Sequence, residues 1–591
     1  MGKIVKTLAM VIAIIFVITG FSYVSGIARA TVSQQKATRI NPTALRNLTV
    51  DPTLVDSGNS AVVASPPVRV PDTTPVVLRV LSDGPVKVPS GQWGAIVMNY
   101  TGASLGTVFD TYITTTVNGV QIYEGVQPEY GNWTVFVNVT QYSALFHGTV
   151  TIGGTRAIGY TADFLGHIWT NITFLFYPAA AGEALSPVPN IIEPLFNLNY
   201  IGSSGGSLSA KITVPNDTRA AVLELWPQGN AVDEFWYGAE PVYRTVQVNV
   251  DGTPVASVLP FPNINSGGVD LFLWRPILPV FEINHPPNRV NLTGALGLMD
   301  GAHTLSIKMP IVGAGGFWLI SGDLLLYTSH NVVSAKLTSH TFYQSPVHTI
   351  AKTSNVQNAN GNYYTVFDQQ AITHFSYSSN IKTLNGSISV SSYTKEYSSF
   401  DQTLNPVWVN LSGVETTVSH QTVTYAERGT SGTQTTNEFV SFPVAMDTGF
   451  EFTVTSTTNG GFPMYGPFSS LTYNLSQSWI QSTSETNVIN GGHSTVLTSF
   501  SDTVLGNNGI FSGIIELLSP TGGFIKALTY TSAFTTKIYT QHSYASTTQQ
   551  PFISEEYFHL IKGSEINAPQ PNIAETVTTN IQQYEVMESP Q

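Results

Sequence analysis

The chain has 591 residues, 42% of them hydrophobic and only 10% charged, against roughly 25% charged in an average soluble protein. Its net charge of −13, with no cluster of Lys or Arg, argues against nucleic acid as a partner, because phosphates need a basic footprint. There is no cysteine, which removes disulfides, thiolate catalysis and Cys-based metal sites together.

In chain order, Lys3 and Lys6 precede an uncharged stretch from Leu8 to Ile27, and Ala28-Arg29-Ala30 offers a small-residue cleavage motif. Residues 1–30 therefore predict an export signal or an N-terminal membrane anchor, and an extracellular or outer-face location. Ten N-x-[ST] sequons, among them Asn138 and Asn291, are compatible with export. Residues 31–70 are polar with scattered prolines and read as a leader or linker.

From there the same order of elements occurs twice, predicting β-domains over 71–185 and 186–330. The first copy runs Tyr112–Val117 into Asn118-Gly119, a hairpin signal, then Val137-Asn138-Val139-Thr140 and a closing apolar strand at 172–177. The second runs Val246–Val250 into Asp251-Gly252, then Val290-Asn291-Leu292-Thr293 and a closing strand through Tyr327. Its longer middle holds Phe261-Pro262, Gly267-Gly268 and Trp274-Arg275-Pro276, and long loops of this kind on sheet scaffolds tend to carry binding sites. Residues 331–591 alternate Ser, Thr and Tyr with apolar residues, and predict a further β-rich region of one or two subdomains. The fold class is all-β: two tandem jelly-roll-like sandwiches and a β-rich C-terminal region.

No H-E-x-x-H, Walker, G-x-S-x-G or Rossmann pattern occurs. None of the 12 histidines has H-x-H or H-x-x-x-H spacing, so no metal site is expected. Acids are scarce, yet Asp233 and Glu234 adjoin three consecutive aromatics, Phe235, Trp236 and Tyr237. That pattern fits either a loop carboxylate beside core rings or a carboxylate in an aromatic cleft suited to acid–base chemistry and sugar stacking. Asp110 opens the equivalent strand of the first copy, and Asp163 precedes that copy's last strand. Taken singly, each acid has a structural reading too.

The stretches Arg219–Leu225, Asp233–Tyr237, Val258–Pro262, Gly267-Gly268 and Trp274-Arg275-Pro276 resemble the peptide:N-glycanase A family. So do Trp133–Val135, Val139–Phe146 and Thr173–Pro178 in the first copy. That family is itself distantly similar to peptide:N-glycosidase F. The resemblance implies an amidase that cleaves the bond between an asparagine side chain and its glycan. It implies N-glycosylated peptides and proteins as substrates, and no cofactor. It marks Asp110, Glu234 and Asp163 as catalytic acids, and Asp233, Phe235, Trp236, Trp274 and Arg275 as substrate contacts. Thr111 stands where the glycosidase F group has an Arg, and Arg275 is the candidate replacement. The rival expectation is a non-catalytic glycan-binding or cell-envelope β-sandwich protein.

Overall fold

The computed structural model describes residues 45–48, 68–105, 112–126, 131–155, 167–179, 188–203, 205–231, 233, 236, 243–260, 285–310, 312–313, 315–345, 348–352, 365–405, 408–427 and 430–452, with further strand backbone to residue 585. The predicted signal or anchor at 1–30 lies outside the described residues. Among those residues no helix is long and apolar enough to cross a membrane.

Two short strands come first, β1 (Leu45–Leu48) and β2 (Val68–Pro71), paired antiparallel. The sequence assigns both to a leader. Val70 is nonetheless fully buried, packed with Ala95, Val97 and Tyr177 against the outside of the first sandwich. Val68, two residues earlier on the same strand face, packs against the same cluster.

The first sandwich contains β3 (Val76–Val80), β4 (Gly84–Lys87), β5 (Trp93–Leu105), β6 (Tyr112–Val117), β7 (Val120–Val126), β8 (Gly131–Asn138), β9 (Thr149–Gly153) and β10 (His167–Pro178). Its two four-stranded sheets have the orders β3-β10-β5-β8 and β4-β9-β6-β7. The second contains β11 (Ile191–Ile201), β12 (Gly206–Val214), β13 (Thr218–Ala231), β14 (Val246–Val250), β15 (Thr253–Val258), β16 (Asn288–Asn291), β17 (Gly301–Met309) and β18 (Gly316–Thr328). Its sheets run β11-β18-β13-β16 and β12-β17-β14-β15. Numbered within each sandwich, both orders are 1-8-3-6 and 2-7-4-5. The chain thus repeats one topology, in which first and last strands are neighbours.

The repeat rests on matching hydrogen bonds. Asn118 and Asp251 adopt φ of 53° and 47°, followed by Gly119 and Gly252 at 86° and 80°, the paired left-handed residues of a tight hairpin turn. Each side chain then caps strand 7 of its sandwich: Asn118 Oδ1 accepts the Thr151 N–H at 2.8 Å, and Asp251 Oδ1 accepts that of Thr304 at 2.9 Å. At the end of strand 6, Asn138 and Asn291 each accept the N–H two residues on, from Thr140 and Thr293, at 3.0 Å. The threonine hydroxyls link back to strand 3. Ile96 N–H donates to Thr140 Oγ1 at 2.9 Å, and Ala221 N–H donates to Thr293 Oγ1 at 3.2 Å. A short 3-10 helix follows each asparagine, Thr140–Leu145 and Thr293–Ala295. Two of the sequons thus double as turn motifs.

Ile96, Met98, Ile113, Val117, Phe174 and Phe176 fill the first core, each buried ring or branched chain contributing about 1.5–3 kcal/mol. The third region begins with β19 (Val332–Gln344), β20 (His348–Lys352), β21 (Thr365–Thr383), β22 (Gly386–Asn405), β23 (Trp408–Glu427) and β24 (Thr430–Phe452), part of one 12-stranded antiparallel sheet. It is one continuous sheet. Its residues Phe375, Tyr377, Ile381, Ile388, Val390 and Phe400 share a cluster with Val246, Leu305 and Trp318 of the second sandwich. Ser379 fastens the join, donating to Gly294 O at 2.7 Å and accepting Gly297 N–H at 3.0 Å.

Candidate active site

The two sandwiches meet across one face of the β11-β18-β13-β16 sheet. Strand alternation sends Ala221, Leu223 and Leu225 of β13, with Trp318, Ile320 and Leu324 of β18, into the second core. The opposite face holds Glu224, Trp226, Ser321, Asp323 and Leu325, all buried. The first sandwich covers it with β7 and the 3-10 turn Thr140–Leu145. Glu224 Oε2 accepts the Tyr142 hydroxyl at 2.6 Å, and its Oε1 accepts Gln141 Nε2 at 3.1 Å and Arg289 Nε at 2.8 Å. Asp323 lies opposite Glu224 in the strand register. Its Oδ2 accepts the Gln121 N–H at 3.2 Å, and its Oδ1 has no hydrogen-bond partner. Burial, and then the neighbouring Glu224, push the Asp323 carboxyl well above the usual carboxylate range.

A third acid, Glu124 of β7, accepts Gln121 Nε2 at 2.9 Å and meets His285 Nδ1 at 3.0 Å, while its carbonyl accepts the His285 N–H at 2.9 Å. Burial and Glu124 together raise Tyr112, two residues after Asp110. Register puts Asn288 opposite Leu225, so the chain entering β16 from His285 comes from the side of Gln228, toward which β13 runs. The start of β6 and the end of β13 thus share one end of the seam.

Just beyond β13, Asp233 is fully buried. Arg244 grips it through Nη2 at 2.7 Å and Nε at 3.0 Å, Trp318 Nε1 donates at 2.6 Å and Gly313 N–H at 3.0 Å. Burial opposes ionisation, but these donors outweigh it and hold the carboxyl below its ordinary value. The fit requires glycine around it: a Cβ on Gly313 would lie 2.3 Å from Asp233 Oδ1, and one on Gly229 2.1 Å from the Asp233 carbonyl oxygen. Asp233 was expected to touch substrate. With every oxygen engaged and no exposed surface, it is instead the internal anchor of the segment. Trp236 differs from expectation in the same way: it is 4% exposed and packs edge-on against Phe400 with centroids 6.1 Å apart, leaving no open face for a sugar.

Asp110, Asp163, Glu234, Phe235, Trp274 and Arg275 lie outside the described residues. Sequence reasoning missed Glu124, Glu224, Asp323, Arg244 and His285. The available signal was a lone acid inside an apolar strand, in Val222-Leu223-Glu224-Leu225-Trp226 and Ser321-Gly322-Asp323-Leu324-Leu325, since an acid buried there needs a partner. Among the described residues no group of three or more His, Asp or Glu is arranged to hold a metal.

Two tandem antiparallel sandwiches joined across a carboxylate-bearing seam define the class of protein: an all-β chain whose two halves share one interface. Residues 82–345, spanning both sandwiches except β3 together with the first strand of the long sheet, match the model of the family described as peptide N-acetyl-beta-D-glucosaminyl asparaginase amidase A. The similarity to that family lies in this part of the chain. Peptide-N4-(N-acetyl-beta-glucosaminyl)asparagine amidase A of Prunus dulcis is 24% identical over 285 residues, covering 41% of this chain and 50% of that protein. The chain thus spans about half the length of the curated relative it matches. Among solved structures, PNGase F, a glycosylasparaginase from Flavobacterium meningosepticum, aligns with 13% identity over 43% of this chain and 96% of its own, at a TM-score of 0.32. PNGF-II aligns with 16% identity over 48% of this chain and 65% of its own, at 0.33.

Proposed function

We propose that this protein is an exported amidase that hydrolyses the amide linking an asparagine side chain to the first GlcNAc of an N-glycan. The family match over residues 82–345 carries the reading, since it covers both strands that lead to the proposed acids. β6 starts two residues after Asp110, and β13 ends three residues before Glu234.

In the proposed reaction Asp110 takes a proton from water as the oxygen attacks the side-chain carbonyl carbon. Asp110 gives that proton to the nitrogen as the C–N bond breaks, the nitrogen leaves with the sugar as a glycosylamine, and the asparagine becomes aspartate. Glu234 and Asp163 hold the amide and the first GlcNAc and tune Asp110 through like-charge proximity. Phe235 and Trp274 offer apolar faces to the sugar, and Arg275 a donor. Asp233 has a supporting role, since its clamp on Arg244 fixes the backbone immediately before Glu234.

Mass spectrometry of a defined N-glycopeptide after incubation in heavy-oxygen water is the test. Release of the intact glycan with labelled aspartate in the peptide is the expected result. A peptide that keeps one GlcNAc would mean glycosidic cleavage and overturn the proposal, and an unchanged glycopeptide that stays bound would mean a glycan-binding protein.

A further inference from the structure

The seam between the sandwiches holds one more buried carboxylate than its donors can satisfy. Glu224 and Asp323 lie directly opposite on adjacent antiparallel strands, where Cβ atoms come within about 4.5–5.5 Å, and both are 0% exposed. The groups facing them are Arg289 from β16, Tyr142 from the first sandwich and Tyr327 from β18. Glu124 and His285 pair with each other farther along the seam. Arg289 is the one cation contacting the pair among the described residues, and it is spent on Glu224 Oε1, with its own side chain half exposed. Glu224 Oε1 accepts two donors and Oε2 one, so Oε2 keeps a free lone pair. Asp323 Oδ1 accepts from no donor.

We infer that Asp323 is carried as the neutral acid and shares its proton with Glu224, so that docking of the first sandwich on the second takes up one proton. The proton resolves both mismatches at once: Asp323 Oδ1–H finds the spare lone pair on Glu224 Oε2, and the pair carries one negative charge opposite Arg289. Two ionised carboxylates side by side and buried would repel each other, and a charge left unpaired there is strongly destabilising. Asp323 is then a positioning residue. Its other oxygen takes the N–H of Gln121, in the hairpin of the first sandwich. Loss of the proton would expel a charge from the seam and loosen that hairpin. The inference stands apart from the proposed amidase reaction, because its readouts are proton linkage and local opening.

The test compares the full-length protein with its Asp323→Asn variant. Asparagine supplies the donor and the acceptor of the neutral acid and cannot ionise. From about pH 5 to about pH 8 the wild type should lose stability more steeply than the variant, the difference being about one proton released per molecule unfolded. The variant should melt at or above the wild-type temperature at the alkaline end. A variant that melts lower at every pH with an unchanged slope would overturn the inference, because Asp323 would then be an ordinary ionised partner. Should the variant fold poorly, hydrogen exchange in the wild type decides. After correction for intrinsic rates, peptides covering Val120–Val126 should open more as pH rises, and protection independent of pH would equally overturn it.

Discussion

Changing Asp110 to Asn should lower hydrolysis by about 10²–10⁴ while leaving the fold in place, because the amide is nearly isosteric but cannot take a proton from water. Steady-state rates on a glycopeptide, with melting temperature as control, check this, and wild-type turnover would remove Asp110 from the mechanism. Glu234→Gln should also slow turnover, and the two losses together should fall short of their product if both acids serve one assembled site. Asp233, one residue earlier, should behave in the opposite manner. Asp233→Asn leaves the fully buried Arg244 guanidinium without its counter-ion, and breaking a buried pair in this way costs about 3–5 kcal/mol. Urea unfolding should show the loss directly, with any fall in activity following the fraction folded. Neighbouring acids thus separate into one that proposed chemistry needs and one that folding needs.

At the scale of elements, each sandwich depends on a small turn after its sixth strand. Thr140→Val and Thr293→Val each keep the shape of the side chain but remove the hydroxyl that accepts from strand 3, leaving the N–H of Ile96 or Ala221 unpaired. An unsatisfied buried donor costs about 1–3 kcal/mol, and Ala221 with Thr293 is the more buried pair. The valine variants should therefore show lower urea midpoints, Thr293→Val the lower, and serine at either position should restore most of the loss. Equal stability of valine and wild type would show that the repeated V-N-x-T pattern is incidental to folding.

For the whole molecule, the second sandwich is held on two sides by buried acids. Toward the first sandwich these are Glu224 and Asp323. Toward the long sheet Ser257 of β15 donates to Glu396 of β22, and Glu415 on β23 is buried beside it. Burial raises Glu396 to about 7, against the pull of the Ser257 hydrogen bond, and burial and then Glu396 raise Glu415 well above the ordinary range. A carboxyl whose folded value exceeds its unfolded one stabilises fully below the unfolded value and loses that contribution as pH rises through the folded one. Stability should therefore decline between about pH 4.5 and about pH 7, and Glu396→Gln should flatten that decline. Melting temperature across this range measures it. The effect should add to that of Asp323→Asn, since the two junctions share no contacting residue.

The all-β class, the twofold repeat and its hairpin turns were legible in the sequence, because they depend on alternation and on residues such as Asn118-Gly119 whose backbone preference is local. The same holds for the family resemblance, which lies in contiguous stretches such as Asp233–Tyr237. The partners of the acids were not legible. Asp233 and Trp236 look like a polar and an aromatic residue in a loop, and only the approach of Arg244, Trp318 and Phe400 makes one a buried anchor and the other core. Likewise Glu224 and Asp323 are 99 residues apart in the chain, and nothing local says that β13 and β18 will pair with these two carboxyls in register. Sequence determines which face of a strand a side chain takes; whether that face meets water, a core or another domain is decided by long-range packing. That packing sets the desolvation of a carboxylate, and with it the difference between a charge on the surface and a proton held in a seam.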